Sequence, residues 1–347
     1  MVSARTAIGI VGLGAGLVSG GRSIIRHRRT LELNGRVVLI TGGSRGLGLA
    51  MALECARRGS RIAICARDER NLGEAASMIE REGAEVLAIP CNVADQHAVA
   101  DMIERVIEHY GRIDILINNA GTIMIGPAEV QTLDDFRECM DVMFWGVLYT
   151  TLAVLPSMRE RHFGRIVNIT SIGGKVPVPY LLPYDSAKHA ATGLSEGLRV
   201  ELAKEGVLVT TVVPGLMRTG SYMNALYKGR NRVEYSAFSI FANLPLVTMD
   251  AARAAAQIIE AARHGDAHLT ISWPAQVLSK ANGVAPGLTS GVLALVSRVL
   301  PGPGATGNKR HLGHESRTPI SESMLTALGQ QAAERYNQLP DDAREKP

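Results

Sequence analysis

The stretch VVLITGGSRGLGLAMA, residues 37–52, constrains the fold of this chain more than any other part of the sequence. Its first four residues are apolar and mostly β-branched, which predicts a buried strand. Four glycines within residues 41–48 then mark a turn, and residues 47–58 have the composition of a helix. A strand, a glycine-rich turn and a helix in this order bring free backbone N–H groups and the positive end of a helix dipole together. The sequence therefore predicts an anion-binding turn of an α/β protein here.

A second glycine-rich stretch, IGIVGLGAGLVSGG at residues 8–21, does not meet these requirements. After Gly16 come Leu17, Val18, Ser19, Gly20 and Gly21, and each glycine costs a helix about 1 kcal/mol relative to alanine. Residues 6–21 are uncharged and precede four arginines, but they are fewer than the roughly 20 residues that span a bilayer. Two interpretations stay open for residues 1–33: a weak anchor on the cytoplasmic face of a membrane, and an arm that packs on a partner subunit.

Six further apolar runs follow, separated by stretches of helical composition. They are residues 61–65, 85–89, 113–117, 165–169, 207–213 and 267–272. Strands that are apolar almost throughout are buried on both faces, which predicts a parallel sheet with helices on each side. We therefore expect a doubly wound α/β (Rossmann) fold of about seven strands over residues 34–275. An extension and a polar tail are expected at residues 276–347.

Composition and charge exclude several classes of function. Hydrophobic residues make up 46% of the chain and charged residues 20%, which argues against general disorder. A net charge of +4 is too small for a nucleic-acid surface, so no nucleic-acid partner is expected. The four cysteines form no CxxC pair, which predicts free thiols and a cytoplasmic location. His311 and His314 lie in the polar tail without further ligands at suitable spacing, so we expect a solvated pair and no metal site.

Ser171, Tyr184 and Lys188 are the candidate catalytic residues. Tyr184 and Lys188 are four residues apart in a stretch of helical composition, so both side chains lie on one helix face. An ammonium group beside a phenol lowers the pKa of the phenol, which predicts a tyrosine that exchanges a proton near neutral pH. Ser171 ends a predicted strand at the edge of the sheet where ligands bind. The alternative is a surface tyrosine, because Tyr-x-x-x-Lys is common by chance.

The end of the second predicted strand bears on the choice of nucleotide. Proteins that bind NAD usually place an acidic residue there to hold the ribose 2′-hydroxyl. This chain has Ala66 followed by Arg67, and Arg45 of the glycine-rich turn is expected nearby. Two guanidinium groups without the acid suit a 2′-phosphate, so the sequence favours NADP(H) over NAD(H). The alternative is that both arginines are ordinary surface residues.

Over residues 34–275 the chain resembles the short-chain dehydrogenase/reductase family, of the type with roughly 250 residues. The resemblance rests on TGGSRGLG at 41–48, NNAG at 118–121, Ser171 thirteen residues before Tyr184, Tyr184-x-x-x-Lys188, and Pro214-Gly215 with Thr219. It implies that Tyr184 is the acid/base, that Lys188 also binds the nicotinamide ribose, and that Ser171 orients the substrate.

The resemblance also implies a cofactor site. The residues expected to hold the cofactor are Gly42, Ser44, Arg45, Gly46, Leu47, Gly48, Arg67, Asn92, Val93, Asn119, Ala120, Gly121, Tyr184, Lys188, Pro214, Gly215 and Thr219. Asn118 is expected to tie the central strands together beside it. A homo-oligomer, dimer or tetramer, is expected as well.

Met143 departs from the family pattern, which usually has an asparagine at this point. Methionine cannot donate or accept hydrogen bonds as an amide does. In the family the relay water is held largely by the backbone carbonyl of that residue, so a relay to Lys188 can survive. The leading hypothesis is an NADP(H)-dependent oxidoreductase acting on a ketone or secondary alcohol. The alternative is a catalytically weak or inactive NADP(H)-binding sensor or scaffold.

Residues 219–245 correspond to the segment that caps the substrate pocket in the family. A third of the chain's fifteen aromatic residues lie there: Tyr222, Tyr227, Tyr235, Phe238 and Phe241. An apolar lid predicts a small apolar carbonyl or alcohol substrate. The alternative is that the rings pack the lid onto the body of the protein. Residues 288–300, whose one charge is Arg298, are expected either to line the pocket or to touch a membrane.

Overall fold

The structure is a computed structural model that describes residue 26, residues 29–304 and residues 307–339. The arm or anchor predicted at residues 6–21 lies outside the described residues. The strands are β1 (Val37–Thr41), β2 (Arg61–Ala66), β3 (Val86–Pro90), β4 (Ile115–Asn118), β5 (Met124–Ile125), β6 (Gly164–Ile169), β7 (Val207–Pro214), β8 (Met217–Arg218), β9 (Leu226–Tyr227), β10 (Met249–Asp250), β11 (His268–Ile271) and β12 (His311–Leu312). The α-helices are α1 (Gly46–Arg57), α2 (Glu69–Arg81), α3 (Gln96–Tyr110), α4 (Leu133–Met140), α5 (Gly146–Glu160), α6 (Leu182–Leu202), α7 (Asn231–Phe241), α8 (Ala251–His264), α9 (Trp273–Val284), α10 (Pro286–Ser297) and α11 (Ala327–Arg335).

Seven of these strands form one parallel sheet in the order β11-β7-β6-β4-β1-β2-β3. Strand β1 pairs with β2 on one side and with β4 on the other, so the order of the strands reverses beside it. Along β1, Val38 and Ile40 enter the core on one face of the sheet, and Val37 and Leu39 enter the core on the other. The predicted doubly wound sheet, apolar on both faces, is confirmed.

Helices cover both faces of this sheet. Helices α1 and α8 pack together over one face, and α3 and α5 pack together over the other. The apolar face of α3 is buried through Val99, Met102 and Val106, as its three- and four-residue spacing predicts. Asp95 caps the start of α3 by accepting two backbone N–H bonds, and Gly111, at φ 78°, ends it.

A continuous helical stretch, Leu133–Glu160, contains α4, a π-helical turn at Asp141–Trp145 and α5. Among the described residues it is the one helix long and apolar enough to cross a membrane, judged by length and composition alone. Val154 and Met158 of α5 are buried in the core shared with α3. Helix α5 is therefore packed as a core helix of the fold.

The C-terminal region folds back onto the body of the protein. Strand β12 pairs antiparallel with β9, and the turn after it packs against α7 and a short 3-10 turn at Ser221–Asn224. His311 and His314 are half-buried in this region, so the expectation of a solvated pair was wrong. Polar composition does not reveal that tertiary contacts will cover a segment.

Candidate active site

The predicted site residues meet at the carboxyl edge of the sheet, around a cleft of about 890 Å³. Ligands of doubly wound sheets bind at this edge, beside the point where the strand order reverses. Every residue that the sequence assigns to catalysis or to the cofactor lines the cleft, except Gly46. The described part of the chain contains no group of three His, Cys, Asp or Glu side chains that could hold a metal ion.

The glycine-rich turn leaves space that larger residues would fill. Gly42 has φ 63°, and a Cβ added to it would lie 2.9 Å from the Cα of Ala120. A Cβ on Gly48 would collide with the carbonyl oxygen of Gly42. The start of α1 has neither a side-chain cap nor an acidic first turn within the described residues, so its positive end faces the turn. This cradle fits the pyrophosphate of a dinucleotide.

Two asparagines of the NNAG motif fasten the turn and the central strands. Asn119 donates its side-chain N–H groups to the carbonyl oxygens of Thr41 (3.0 Å) and Gly42 (3.1 Å). Asn118 donates to Asn168 of the neighbouring strand β6 at 2.9 Å, and both side chains are buried. The expectation that Asn118 ties the central strands together agrees with this contact.

Two arginines lie at the outer end of the cleft, beside the end of β2. Arg67 is exposed, and Arg45 donates from Nη1 to Oδ1 of Asn224 at 3.2 Å. Asp68 caps α2 by accepting the backbone N–H of Asn71 at 2.9 Å. This bond is the main reason that the pKa of Asp68 is lowered; burial opposes it, and the charge of Arg45 adds to it. The carboxylate nearest the end of β2 in sequence is therefore engaged with its own helix.

Ser171, Tyr184 and Lys188 meet deep in the cleft. Tyr184 and Lys188 lie on α6, and Ser171 follows β6. The Ser171 side chain lies near enough to Tyr184 to lower its pKa, and its hydroxyl accepts the backbone N–H of Gly173 at 3.1 Å. Lys188 Nζ donates to the carbonyl oxygen of Ile169 at 2.8 Å and lies 5.8 Å from the centroid of the Tyr184 ring.

The pKa of Tyr184 departs from the sequence-based expectation. Burial raises the pKa of the Tyr184 phenol to about 12, and the neighbouring Ser171 side chain only partly opposes this. Burial lowers the pKa of Lys188 to about 8. The prediction that Lys188 lowers the tyrosine pKa is wrong. Desolvation of the phenolate dominates, and the ammonium group contacts a backbone carbonyl.

Met143 lies in the π-helical turn Asp141–Trp145 and is fully buried. It packs in an apolar cluster with Cys139 and Ala187, against which the side chain of Tyr184 also packs. A Cβ added to Gly121 would lie 3.5 Å from the sulfur of Met143. Met143 therefore forms part of the apolar surroundings of Tyr184, and π-helical turns often occur at functional sites.

The aromatic residues of the lid divide into two groups. Tyr222, Tyr227 and Tyr235 are buried together, with ring centroids 5.4 to 5.8 Å apart in the two pairs that Tyr235 forms. Phe238 and Phe241 line the cleft. Both alternatives are therefore found: the tyrosines pack the lid, and the phenylalanines face the cavity.

Sequence reasoning missed cleft residues of helix α9 and of the chain that follows it. Ala275 and Leu278 of α9 line the cleft, and so does Gln338 after α11. The apolar composition of α9 is a weak signal, whereas nothing near Gln338 in the sequence points to a nucleotide. Residues 288–300, expected at the pocket or a membrane, do not line the cleft, and Leu288 of α10 is 73% exposed.

Comparisons with known proteins agree with this geometry. The sequence model described as short chain dehydrogenase matches residues 36–228. A "dehydrogenase/reductase SDR family protein 7-like" of Anopheles gambiae is 36% identical over 205 residues, which cover 58% of this chain and 65% of the relative. A 3-dehydrosphinganine reductase of Danio rerio is 36% identical over 191 residues, 54% of this chain and 58% of the relative. The match thus spans less than two thirds of the length of these relatives.

Two solved structures share the fold. The actinorhodin polyketide ketoreductase with NADPH superimposes with a TM-score of 0.61 and 29% identity, covering 69% of this chain and 96% of that protein. An NAD⁺-bound xylitol dehydrogenase gives a TM-score of 0.61 and 25% identity, covering 70% of this chain and 99% of that protein. With the family match over more than half of its length, this chain belongs to the short-chain dehydrogenase family.

Proposed function

We propose that this protein is an NADP(H)-dependent oxidoreductase that interconverts an apolar ketone and the corresponding secondary alcohol. The observation that carries the proposal is the meeting of Ser171, Tyr184 and Lys188 in the cleft that begins at the glycine-rich turn. When bound, the nicotinamide supplies a hydride to the carbonyl carbon or accepts one from the alcohol. The residues of the chain orient the substrate and handle the proton.

In the reductive direction Tyr184 acts as the proton donor. A phenol with a pKa of about 12 is protonated at neutral pH and can give its proton to the oxygen that becomes the alcohol. The Ser171 hydroxyl hydrogen-bonds the same oxygen and holds it beside the phenol. Lys188, with a pKa of about 8, can release a proton near neutral pH and so restore the phenol.

The preference for NADP(H) rests on the outer end of the cleft. Arg45 and Arg67 line it, Ala66 stands where an acidic residue would hold a 2′-hydroxyl, and Asp68 is bound to its own helix. A 2′-phosphate finds two cations there. One structural neighbour is a ketoreductase with NADPH, which agrees with this preference, although another binds NAD⁺.

An apolar substrate is favoured by the inner end of the cleft. Phe238, Phe241 and Leu278 line the same cleft as Tyr184, and the lining of the cleft as a whole is mostly apolar. An apolar cavity with a few convergent polar groups suits a carbonyl compound with an apolar body. Two relatives carry the name of a reductase. One is the Danio rerio protein described above. The other is a "Granaticin polyketide synthase putative ketoacyl reductase 1" of Streptomyces violaceoruber, 37% identical over 186 residues, which cover 53% of this chain and 68% of the relative.

We also propose a cytoplasmic homo-oligomer that contacts the cytoplasmic face of a membrane. Exposed apolar side chains on α10, among them Leu288, Val292 and Leu295, support the membrane contact. The four free, buried cysteines agree with a reducing compartment. Flotation with anionic vesicles tests the membrane contact, and size-exclusion chromatography tests the oligomeric state.

The test of function is NADPH oxidation with a panel of apolar ketones, using wild-type protein, Tyr184→Phe and Tyr180→Phe. Tyr184→Phe is expected to lose at least 100-fold in turnover and to keep NADPH binding nearly intact, because the ring stays in place and only the proton-donating hydroxyl is removed. Tyr180 lies outside the main cleft and hydrogen-bonds the Pro301 carbonyl, so Tyr180→Phe is the matched control. More than a tenth of wild-type turnover in Tyr184→Phe would refute the proposed role. NADPH binding without turnover of any ketone in the wild type would favour the sensor or scaffold.

A further inference from the structure

Residues 336–338, which we call the clasp, follow α11 and lie against the glycine-rich turn. Gly46 donates its backbone N–H to the carbonyl oxygen of Tyr336 at 2.7 Å. Asn337 Nδ2 donates to the carbonyl oxygens of Ser44 (3.1 Å) and Asn71 (3.0 Å). Asn337 is buried, so these bonds join the turn to α2 away from water. The clasp thus holds the turn although it is 293 residues away in sequence.

Gln338 connects the clasp to Arg45. Its Oε1 accepts from Asn224 Nδ2 at 2.7 Å, and its main-chain oxygen accepts from the same nitrogen at 2.9 Å. Asn224 Oδ1 in turn accepts from Arg45 Nη1 at 3.2 Å. Gln338 is 6% exposed and lines the cleft. A buried amide therefore fixes the asparagine that orients one of the two cations proposed for the 2′-phosphate.

The clasp contacts the glycine-rich turn at Gly46. Gly46, which the clasp binds, does not line the cleft, whereas Arg45 and Leu47 on either side of it do. A Cβ added to Gly46 would collide with Nε2 of Gln338. Of the three clasp residues, Gln338 alone reaches the cleft. The clasp thus takes up the N–H of Gly46, while Arg45 and Leu47 on either side of it still line the cleft.

We propose that the clasp is part of the dinucleotide site and that Gln338 is a positioning residue for the 2′-phosphate, acting through Asn224 and Arg45. An arginine that is already held in one rotamer loses less conformational entropy when it binds an anion. Asn337 holds the backbone of the glycine-rich turn in place, so it acts on nucleotides with and without the 2′-phosphate. The inference rests on the proposed preference for NADP(H).

The test compares four nucleotides, measured as equilibrium dissociation constants of the full-length protein. NADPH and 2′,5′-ADP carry the 2′-phosphate, and NADH and 5′-AMP lack it. For Gln338→Ala we expect about tenfold weaker binding of the first pair, or ~1.4 kcal/mol, and less than a twofold change for the second. Asn337→Ala is expected to weaken all four. Glu334→Ala, exposed on α11, is the matched control and should change none.

Each other outcome overturns the inference. An equal loss for all four nucleotides in Gln338→Ala assigns that residue only a structural role. Tighter NADPH binding makes the clasp an inhibitory segment, and unchanged affinities remove it from the site. Failure of the proposed function would appear in the wild type itself, as equal affinity for 2′,5′-ADP and 5′-AMP or as absence of turnover. Failure of the inference appears only in the ratio of the variant's dissociation constants to those of the wild type.

Discussion

Replacing Lys188 by methionine is expected to raise the free energy of unfolding while it removes turnover. Burial lowers the pKa of Lys188 from 10.5 to about 8. One pKa unit corresponds to ~1.36 kcal/mol, so keeping this ammonium charged at pH 7 destabilises the folded protein by about 3 kcal/mol. The variant loses the 2.8 Å hydrogen bond to the Ile169 carbonyl, which offsets ~1 kcal/mol of the gain. The net expectation is a gain of about 2 kcal/mol.

The pH dependence of this gain has a definite sign. Between pH 8 and 10.5 the unfolded chain keeps a proton on Lys188 that the folded protein has released, so this group makes wild-type stability rise with pH there. Below pH 8 both states carry the proton and the penalty is constant. Methionine binds no proton. The stability difference between Lys188→Met and wild type should therefore be largest near pH 7 and shrink toward pH 10.5.

Urea unfolding followed by circular dichroism, repeated at several values between pH 7 and 10, measures this difference. Lys280 is exposed on α9, so Lys280→Met is the matched control and should show no comparable gain. A Lys188→Met protein that is no more stable than wild type at pH 7 would refute the reasoning. A stability difference that does not change with pH would refute it as well, because the gain would then not come from the buried charge.

Three further predictions follow from other contacts. Arg67→Asp should raise the KM for NADPH and improve the use of NADH, because it replaces a phosphate partner by a repulsive charge; equal use of both cofactors by the wild type would contradict this. Lys228→Met should lower the free energy of unfolding by about 3 kcal/mol in urea titrations, because it leaves the buried carboxylate of Asp135 without its buried partner; a loss below about 1 kcal/mol would show that the remaining contacts compensate. Gly46→Val should weaken NADPH binding at least tenfold in fluorescence titrations, because Gly46 has φ 58° and faces Gln338; unchanged affinity would show that the turn tolerates the strain.

Local patterns in the sequence were sufficient for the sheet and for most of the cleft. The apolar runs that predict seven buried strands depend on the residue types themselves, because a strand covered on both faces needs apolar side chains at nearly every position. The glycine turn follows from sterics at Gly42 and Gly48, where a Cβ has no room. The four-residue spacing places Tyr184 and Lys188 on one face of any helix that contains them.

Only the tertiary structure decided the environment of these residues and the part played by the C-terminal region. Tyr184 has a raised pKa because apolar neighbours from several elements bury it, and the spacing to Lys188 does not reveal that desolvation. Gln338 reaches Asn224, and Asn337 reaches the glycine turn, because the chain folds back over the lid. A contact between residues nearly 300 positions apart leaves no periodic or compositional pattern in a sequence. Motifs therefore determined most of the residues that line the cleft, and long-range packing determined how they are held and at what pKa they titrate.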